Sequence, residues 1–272
     1  MALRPCRRAR AAAGVLVVCG LLFSATTTRA ASPYRLDRAR EWVWLGTGAA
    51  IGIGGIVLTA STDPLTAEEI AGLDAGDINR FDREGMEPYR DDHAGDALSV
   101  TSYFLPLALL ARPDARRDAA TLGVMWLEAT FFNLGVDGIC KATVLRNRPY
   151  VYDAEAPPEL KTSTSARFSF YSGHSASTAM NCFFAASVLS DYIDDGRAEA
   201  LLWTGAALFP AVTSYLRVDS GHHFRSDVLT GYVTGAAIGW LVPVLHRVEN
   251  DRFSLHPASV GGSPGLAARV SF

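Results

Sequence analysis

The chain has 272 residues, 49% hydrophobic and 19% charged, with a formal net charge of −3. It is long and apolar enough to bury a large core, and nothing in its middle reads as a linker between domains. The near-neutral charge, without a basic stripe interleaved with aromatics, argues against nucleic acid as a partner.

Residues 1–30 place Arg4, Arg7, Arg8 and Arg10 before an apolar run from Ala11 to Ala25, with small residues around Thr28 and Ala30. This order matches a secretory signal peptide cleaved after about Ala30, with an uncleaved anchor helix as the alternative. Cys19 has no small residues just before it, which argues against a lipoprotein anchor. The expected organisation is a leader over 1–30, a helical domain over 31–250 and a tail over 251–272. After cleavage only Cys140 and Cys182 remain, and both are expected as buried free thiols. No other Cys or His stands at ligand spacing, so no metal site is expected.

Six apolar stretches predict helices: Trp42–Ala60, Ala97–Ala111, Ala119–Cys140, Ala176–Tyr192, Ala200–Leu216 and Val228–His246. Each lacks period-two alternation and is rich in Ala, Leu and Gly, so the expected fold is all-α, an antiparallel bundle of about six core helices. The connection from Thr62 to Asp96 is acidic, and Thr66 with Glu69 forms a capping box for a short helix there. The tail carries two short alternating runs around Gly261-Gly262-Ser263-Pro264-Gly265, a β-hairpin pattern. Several of the helices are shorter than the roughly 20 residues of a membrane span, and Pro106 and Glu128 interrupt two of them. With a mean hydropathy of +0.14, membrane association and a water-soluble bundle stand close together, and membrane association is the expectation.

Three polar clusters interrupt this apolar sequence: Lys141 to Pro149, Ser172-Gly173-His174, and Arg217 to Asp227. The first ends the third helix, the second opens the fourth, and the third joins the fifth to the sixth. In an up-and-down bundle all three fall at one end. The basic turn Arg112–Arg117 then belongs on the cytoplasmic side and the clusters outside. Arg35, Arg38 and Arg40 conflict with that orientation if the leader is cleaved. A wholly periplasmic bundle resolves the conflict, and so does a first segment that is not a signal.

Arg148 and Arg217 offer planar forks matched to phosphate oxygens, and Lys141 adds a point charge. Ser172 and the amides near Gly173 complete a cradle at a helix start, where anions are favoured. His223 is the expected nucleophile and His174 the general acid, and Asp227, one helical turn after His223, is placed to orient that imidazole. Taken singly, each has a plainer role as a snorkelling charge or a helix cap. Arg146 is expected to face solvent and His222 to be a surface or supporting residue. The cations are side chains, so this chemistry needs no cofactor.

In these residues the chain resembles the type 2 phosphatidic acid phosphatase superfamily, which includes lipid phosphate phosphatases, bacterial acid phosphatases and vanadium haloperoxidases. The family pattern is Lys, six residues, Arg-Pro; Pro-Ser-Gly-His; then Ser-Arg, five residues, His, three residues, Asp. Here it stands as Lys141 to Pro149, Tyr171 to His174, and Leu216-Arg217 through His223 to Asp227. Tyr171 replaces Pro and Leu216 replaces Ser; Tyr171 is expected to reshape the substrate entrance. The resemblance covers about Ala97 to His246 and implies a phosphohistidine at His223, an acid at His174, and phosphate held by Lys141, Arg148, Ser172, Gly173 and Arg217. It also suggests a bacterial envelope subgroup.

The resulting expectation is a metal-independent phosphatase acting at the envelope on a phosphomonoester or pyrophosphate, with a phosphorylated lipid or a small phosphoester as substrate. The alternatives are a haloperoxidase holding vanadate in the same cradle, a non-specific periplasmic acid phosphatase, and a non-catalytic binder of phosphorylated lipid.

Overall fold

The computed structural model describes residues 32–248, 253–260 and 263–270; the expected signal peptide lies outside them. Among the described residues, the longer helices are α1 (Arg38–Ala60), α2 (His93–Ser102), α3 (Ala119–Val144), α4 (Gly173–Ser190), α5 (Gly196–Asp219) and α6 (Arg225–His246). At the C-terminus β1 (Phe253–Val260) pairs antiparallel with β2 (Ser263–Val270).

Several helices begin earlier than their apolar runs, because polar residues supply the first turn. Asp37 accepts from Arg40 N at 3.1 Å, Asp92 from Gly95 N at 2.7 Å and Asp195 from Arg197 N at 2.8 Å. Each satisfies an amide that the helix itself leaves unpaired. The second predicted helix, Ala97–Ala111, is not continuous. It breaks after Ser102 and resumes at Leu105, with a 42° bend between the two parts. Pro106 has no N–H for the carbonyl of Ser102, so the ladder fails there. In the connection before α2, Thr66 and Glu69 make the expected reciprocal cap, at 2.7 and 3.2 Å.

Helix α4 forms the centre, with Ala176, Ala179, Met180, Phe184, Ala186 and Val188 fully buried. Burying one large apolar side chain such as Phe184 contributes about 1.5–3 kcal/mol. Helix α6 lies against α4 along a stripe of Gly231, Gly235 and Gly239. A Cβ at these positions would stand 2.5, 2.0 and 2.2 Å from the carbonyl oxygens of Ser172, Ala176 and Met180. No side chain fits, so the two backbones meet directly. Helices α1 and α3 cross in the same manner, at Gly55 and Gly138.

The outer faces are apolar: Trp42, Ile53, Ile56 and Val57 on α1 and Leu229, Val233 and Trp240 on α6 are all exposed. By length and composition α1, α3 and α6 are each sufficient to cross a membrane, and the bent α2 segment is a further candidate. Exposed apolar surface on this scale marks a partner or a bilayer.

Candidate active site

The α4–α6 contact fixes the site, because it sets the first turns of both helices side by side. Ser172 N donates to Asp227 O at 3.1 Å across the junction. Ser172 caps α4 and is fully buried, its hydroxyl accepting from Ser175 N at 3.4 Å and Ser175 Oγ at 3.1 Å. Helix α3 joins this pair through Gly173: a Cβ there would lie 2.9 Å from Lys141 Nζ and 3.0 Å from Asp137 Oδ2. Lys141 itself bonds Asp137 at 2.6 Å, one turn earlier on α3. Leu145, in the left-handed conformation, then ends α3 and releases the chain toward Arg148.

Arg217 comes from the last turns of α5 and is 3% exposed. Gly221, at φ +70°, makes the turn from α5 into the α6 cap, and a Cβ there would meet Glu87 O at 2.6 Å. Only glycine takes this conformation without strain, and here the space is closed as well. The turn places His222 against Tyr89 and Tyr150 and sends His223 into the interior at 1% exposure. His222 is thus a supporting residue rather than a surface one. The three polar clusters meet in one assembly: Arg148, Arg217, Lys141 and His174 all act electrostatically on His223.

His223 Nδ1 lies 2.8 Å from the carbonyl of Ser169. A carbonyl only accepts, so Nδ1 carries the proton and Nε2 keeps its lone pair. Asp227 does not take that N–H directly: its Oδ2 stands 3.8 Å from Nδ1. It accepts instead from Ser169 Oγ at 2.5 Å and Phe224 N at 2.9 Å, bracing the segment whose carbonyl holds the imidazole. The expected direct orienting contact is therefore an indirect one. The reason is that Asp227 closes the α6 N-terminus, which turns its carboxylate toward the capping amide.

Arg146 is not the solvent-facing residue expected from the sequence. Its side chain is 23% exposed, and it bonds Asp227 Oδ1 at 2.6 Å and Asp82 Oδ2 at 2.7 Å while its guanidinium lies 4.2 Å from the centre of the Phe224 ring. Asp82 also accepts from Ser226 N at 2.9 Å and Asn79 Nδ2 at 2.7 Å. Burial alone would raise the Asp82 carboxyl, but these donors outweigh it and hold it below the usual range.

The acidic connection contributes two more residues that sequence reasoning passed over. Asp92 and Asp96 both reach Arg217 Nη1, at 3.2 and 2.9 Å, and Asp96 Oδ1 lies 3.1 Å from His174 Nε2. Their only sequence signal was the acidic run that reaches the N-cap and first turn of α2, where Asp92 and Asp96 stand. Tyr171 also differs from expectation: it is 1% exposed, packed near Asp137 and Cys140, and so forms no part of an entrance.

Burial first, then the positive charge of Arg217, pushes His174 down to about 4; Arg148 and Lys141 add to this and Asp96 opposes it. Burial followed by Arg148 and Arg217 holds His223 well below its ordinary value. His222 is pushed to about 3 by burial and the same two arginines. A convergent field of three fixed cations over two neutral imidazoles is arranged to receive a multiply charged oxyanion. A separate cleft lies between α5, α6 and the connection, lined by Tyr215, Val218, Val228 and Arg225.

Neither the curated proteins nor the solved structures give a match to the chain. A family model described as PAP2 superfamily matches residues 119–251, the stretch that carries α3 to α6 and every cradle residue. Over these residues the chain belongs to the PAP2 superfamily, a membership that supports a phosphatase-type hydrolase.

Proposed function

We propose that the protein is a metal-independent phosphatase of the cell envelope that hydrolyses a lipid-linked phosphomonoester or pyrophosphate through a phosphohistidine. The observation that carries this reading is the tautomer of His223. Its Nδ1–H is committed to the Ser169 carbonyl, leaving a buried Nε2 lone pair beside Arg148, Arg217 and Lys141.

In this reading Lys141, Arg148, Arg217, Ser172 and the amides at Gly173 hold the phosphoryl oxygens. His223 Nε2 attacks phosphorus as the bond to the leaving oxygen breaks, and protonated His174 gives that oxygen its proton. Water then attacks the phosphohistidine, passing a proton to His174, and inorganic phosphate departs. The negative charge of bound substrate raises His174 from about 4 and so arms the acid only when the cradle is filled. Side-chain cations neutralise the transferring group, so no metal is required at this site.

The exposed apolar belts of α1 and α6 support a lipid substrate and a membrane location. The periplasmic orientation rests on the basic turn at Arg112–Arg117. The test is phosphate release from phosphatidate, a polyprenyl diphosphate and an aryl phosphate, with chelator present. Turnover of a lipid substrate by the wild type, abolished in His223→Ala, is the expected result. No release from any of the three, or an unchanged rate in His223→Ala, overturns the reading.

A further inference from the structure

At the other end of the bundle, three buried side chains from three helices converge: Glu41 on α1, Glu128 on α3 and His246 on α6. Nineteen residues separate Asp227 from His246, so along α6 this cluster stands about 28 Å from the phosphate cradle. We propose that Glu41, Glu128 and His246 bind a divalent transition-metal ion, with Zn²⁺ as the best fit.

The ligand geometry is already set. His246 Nε2 lies 3.2 Å from Glu128 Oε2 and 3.5 Å from Glu41 Oε2. Two ligands on one tetrahedral zinc, at bonds of about 2.0–2.1 Å, stand roughly 3.3–3.4 Å apart. The observed separations bracket that value. In the neutral imidazole, with the proton on Nδ1, Nε2 has none to give Glu128, and Nε2 and both carboxylate oxygens of Glu128 are then buried without a hydrogen-bond partner. A fully buried carboxylate, at 0% exposure, is costly without a counter-charge, and no Lys or Arg ion-pairs with Glu128 among the described residues.

The surroundings fix the ligands as metal sites require. His246 Nδ1 donates to Val242 O at 2.7 Å, which leaves the Nε2 lone pair facing the two carboxylates. Glu41 is held by Arg40, at 2.9 Å to Oε1 and 3.2 Å to Oε2, and by Asp37 N at 2.7 Å. Trp44 meets the imidazole edge-on, ring centres 5.9 Å apart, and the Arg40 guanidinium lies over the indole, 5.6 Å from its centre. Two carboxylates and one imidazole give three ligands of mixed hardness and leave a fourth position for water, a set suited to zinc. The competing occupant is a proton on Nε2, which would make His246 a cation between two carboxylates.

The experiment uses full-length protein without a histidine tag, in detergent, stripped with chelator, reloaded with Zn²⁺ and desalted. Wild type is expected to retain about one zinc per chain, and Glu128→Gln and His246→Gln to retain at least about tenfold less. X-ray absorption at the zinc edge of the wild type reads the ligand shell without any variant. It should show nitrogen and oxygen near 2.0 Å with a single imidazole. Wild type holding no zinc overturns the proposal in favour of the protonated histidine. So does a shell with two or more imidazoles, which would place the ion on His174, His222 and His223, or undiminished zinc in both variants.

Discussion

Asp96 Oδ1 sits between the expected acid and a cradle cation, 3.1 Å from His174 Nε2 and 2.9 Å from Arg217 Nη1. One carboxylate oxygen thus occupies the kind of position a phosphoryl oxygen takes, while its charge raises the proton affinity of His174. These two effects act in opposite directions on turnover. In Asp96→Asn the competitor for Arg217 is gone, so inorganic phosphate should inhibit about fivefold more tightly, the equivalent of an ion pair of about 1 kcal/mol. The high-pH limb of the kcat profile, where His174 gives up its proton, should move to lower pH, because the charge of Asp96 raises His174. Weaker phosphate inhibition would show instead that Asp96 positions the cradle.

Filling the cradle with any dianion should make the protein take up a proton. Free His174 is protonated only below about 4, and a bound oxyanion raises that value. Between the free and the bound values the complex holds a proton that the free protein lacks, so binding strengthens as pH falls through that window. Sulfate keeps its charge throughout, and its inhibition constant should fall by up to about tenfold per pH unit per proton. His174→Asn should flatten the curve, and a flat curve in the wild type would contradict the assignment.

Arg146 touches Asp227, Asp82 and Phe224 rather than the cradle cations, so it is a positioning residue. Lys at this position would supply charge without the fork that bridges two carboxylates. Arg146→Lys should lower kcat by about tenfold to a hundredfold while KM stays nearly constant, the pattern of a misplaced nucleophile. A rise in KM at constant kcat would place Arg146 on the substrate instead.

The glycine stripe of α6 is testable without kinetics. A Cβ at Gly235 would stand 2.0 Å from Ala176 O, whereas at Gly46 on α1 nothing lies within 4 Å. Gly235→Ala should cost about 1–3 kcal/mol or more of stability through forced separation of two backbones. Gly46→Ala should be neutral or stabilising, because alanine favours a helix interior. Equal melting temperatures for the two variants would show that α4 and α6 are not tightly packed.

Helix parity brought Lys141, His174, Arg217 and His223 together from sequence alone, because an alternating bundle leaves little choice about which ends meet. The break at Ser102 was visible only as Pro106, and apolar periodicity treated it as an interruption to be spanned. Arg146, Asp82, Asp92 and Asp96 were illegible for a different reason: each is partnered across long stretches of chain, and a charge in a connection carries no local sign of its partner. The same holds for Glu41, Glu128 and His246, whose spacing follows no metal-ligand pattern because three helices supply one residue each. Asp227 takes the Ser169 hydroxyl while the Ser169 carbonyl holds the His223 imidazole, and a main-chain acceptor leaves no trace in side-chain patterns.

The direct backbone contact of α4 with α6 has a bearing on how such a protein diversifies. Along the glycine stripe no side chain separates these helices, so any Cβ added there would force them apart and shift the first turn of α4 against that of α6. Asp82, Asp92 and Asp96, by contrast, arrive on a long polar segment joined to the site through side-chain contacts. Rewriting that segment would retune Arg217 and His174 while leaving the backbone contact of α4 with α6 in place.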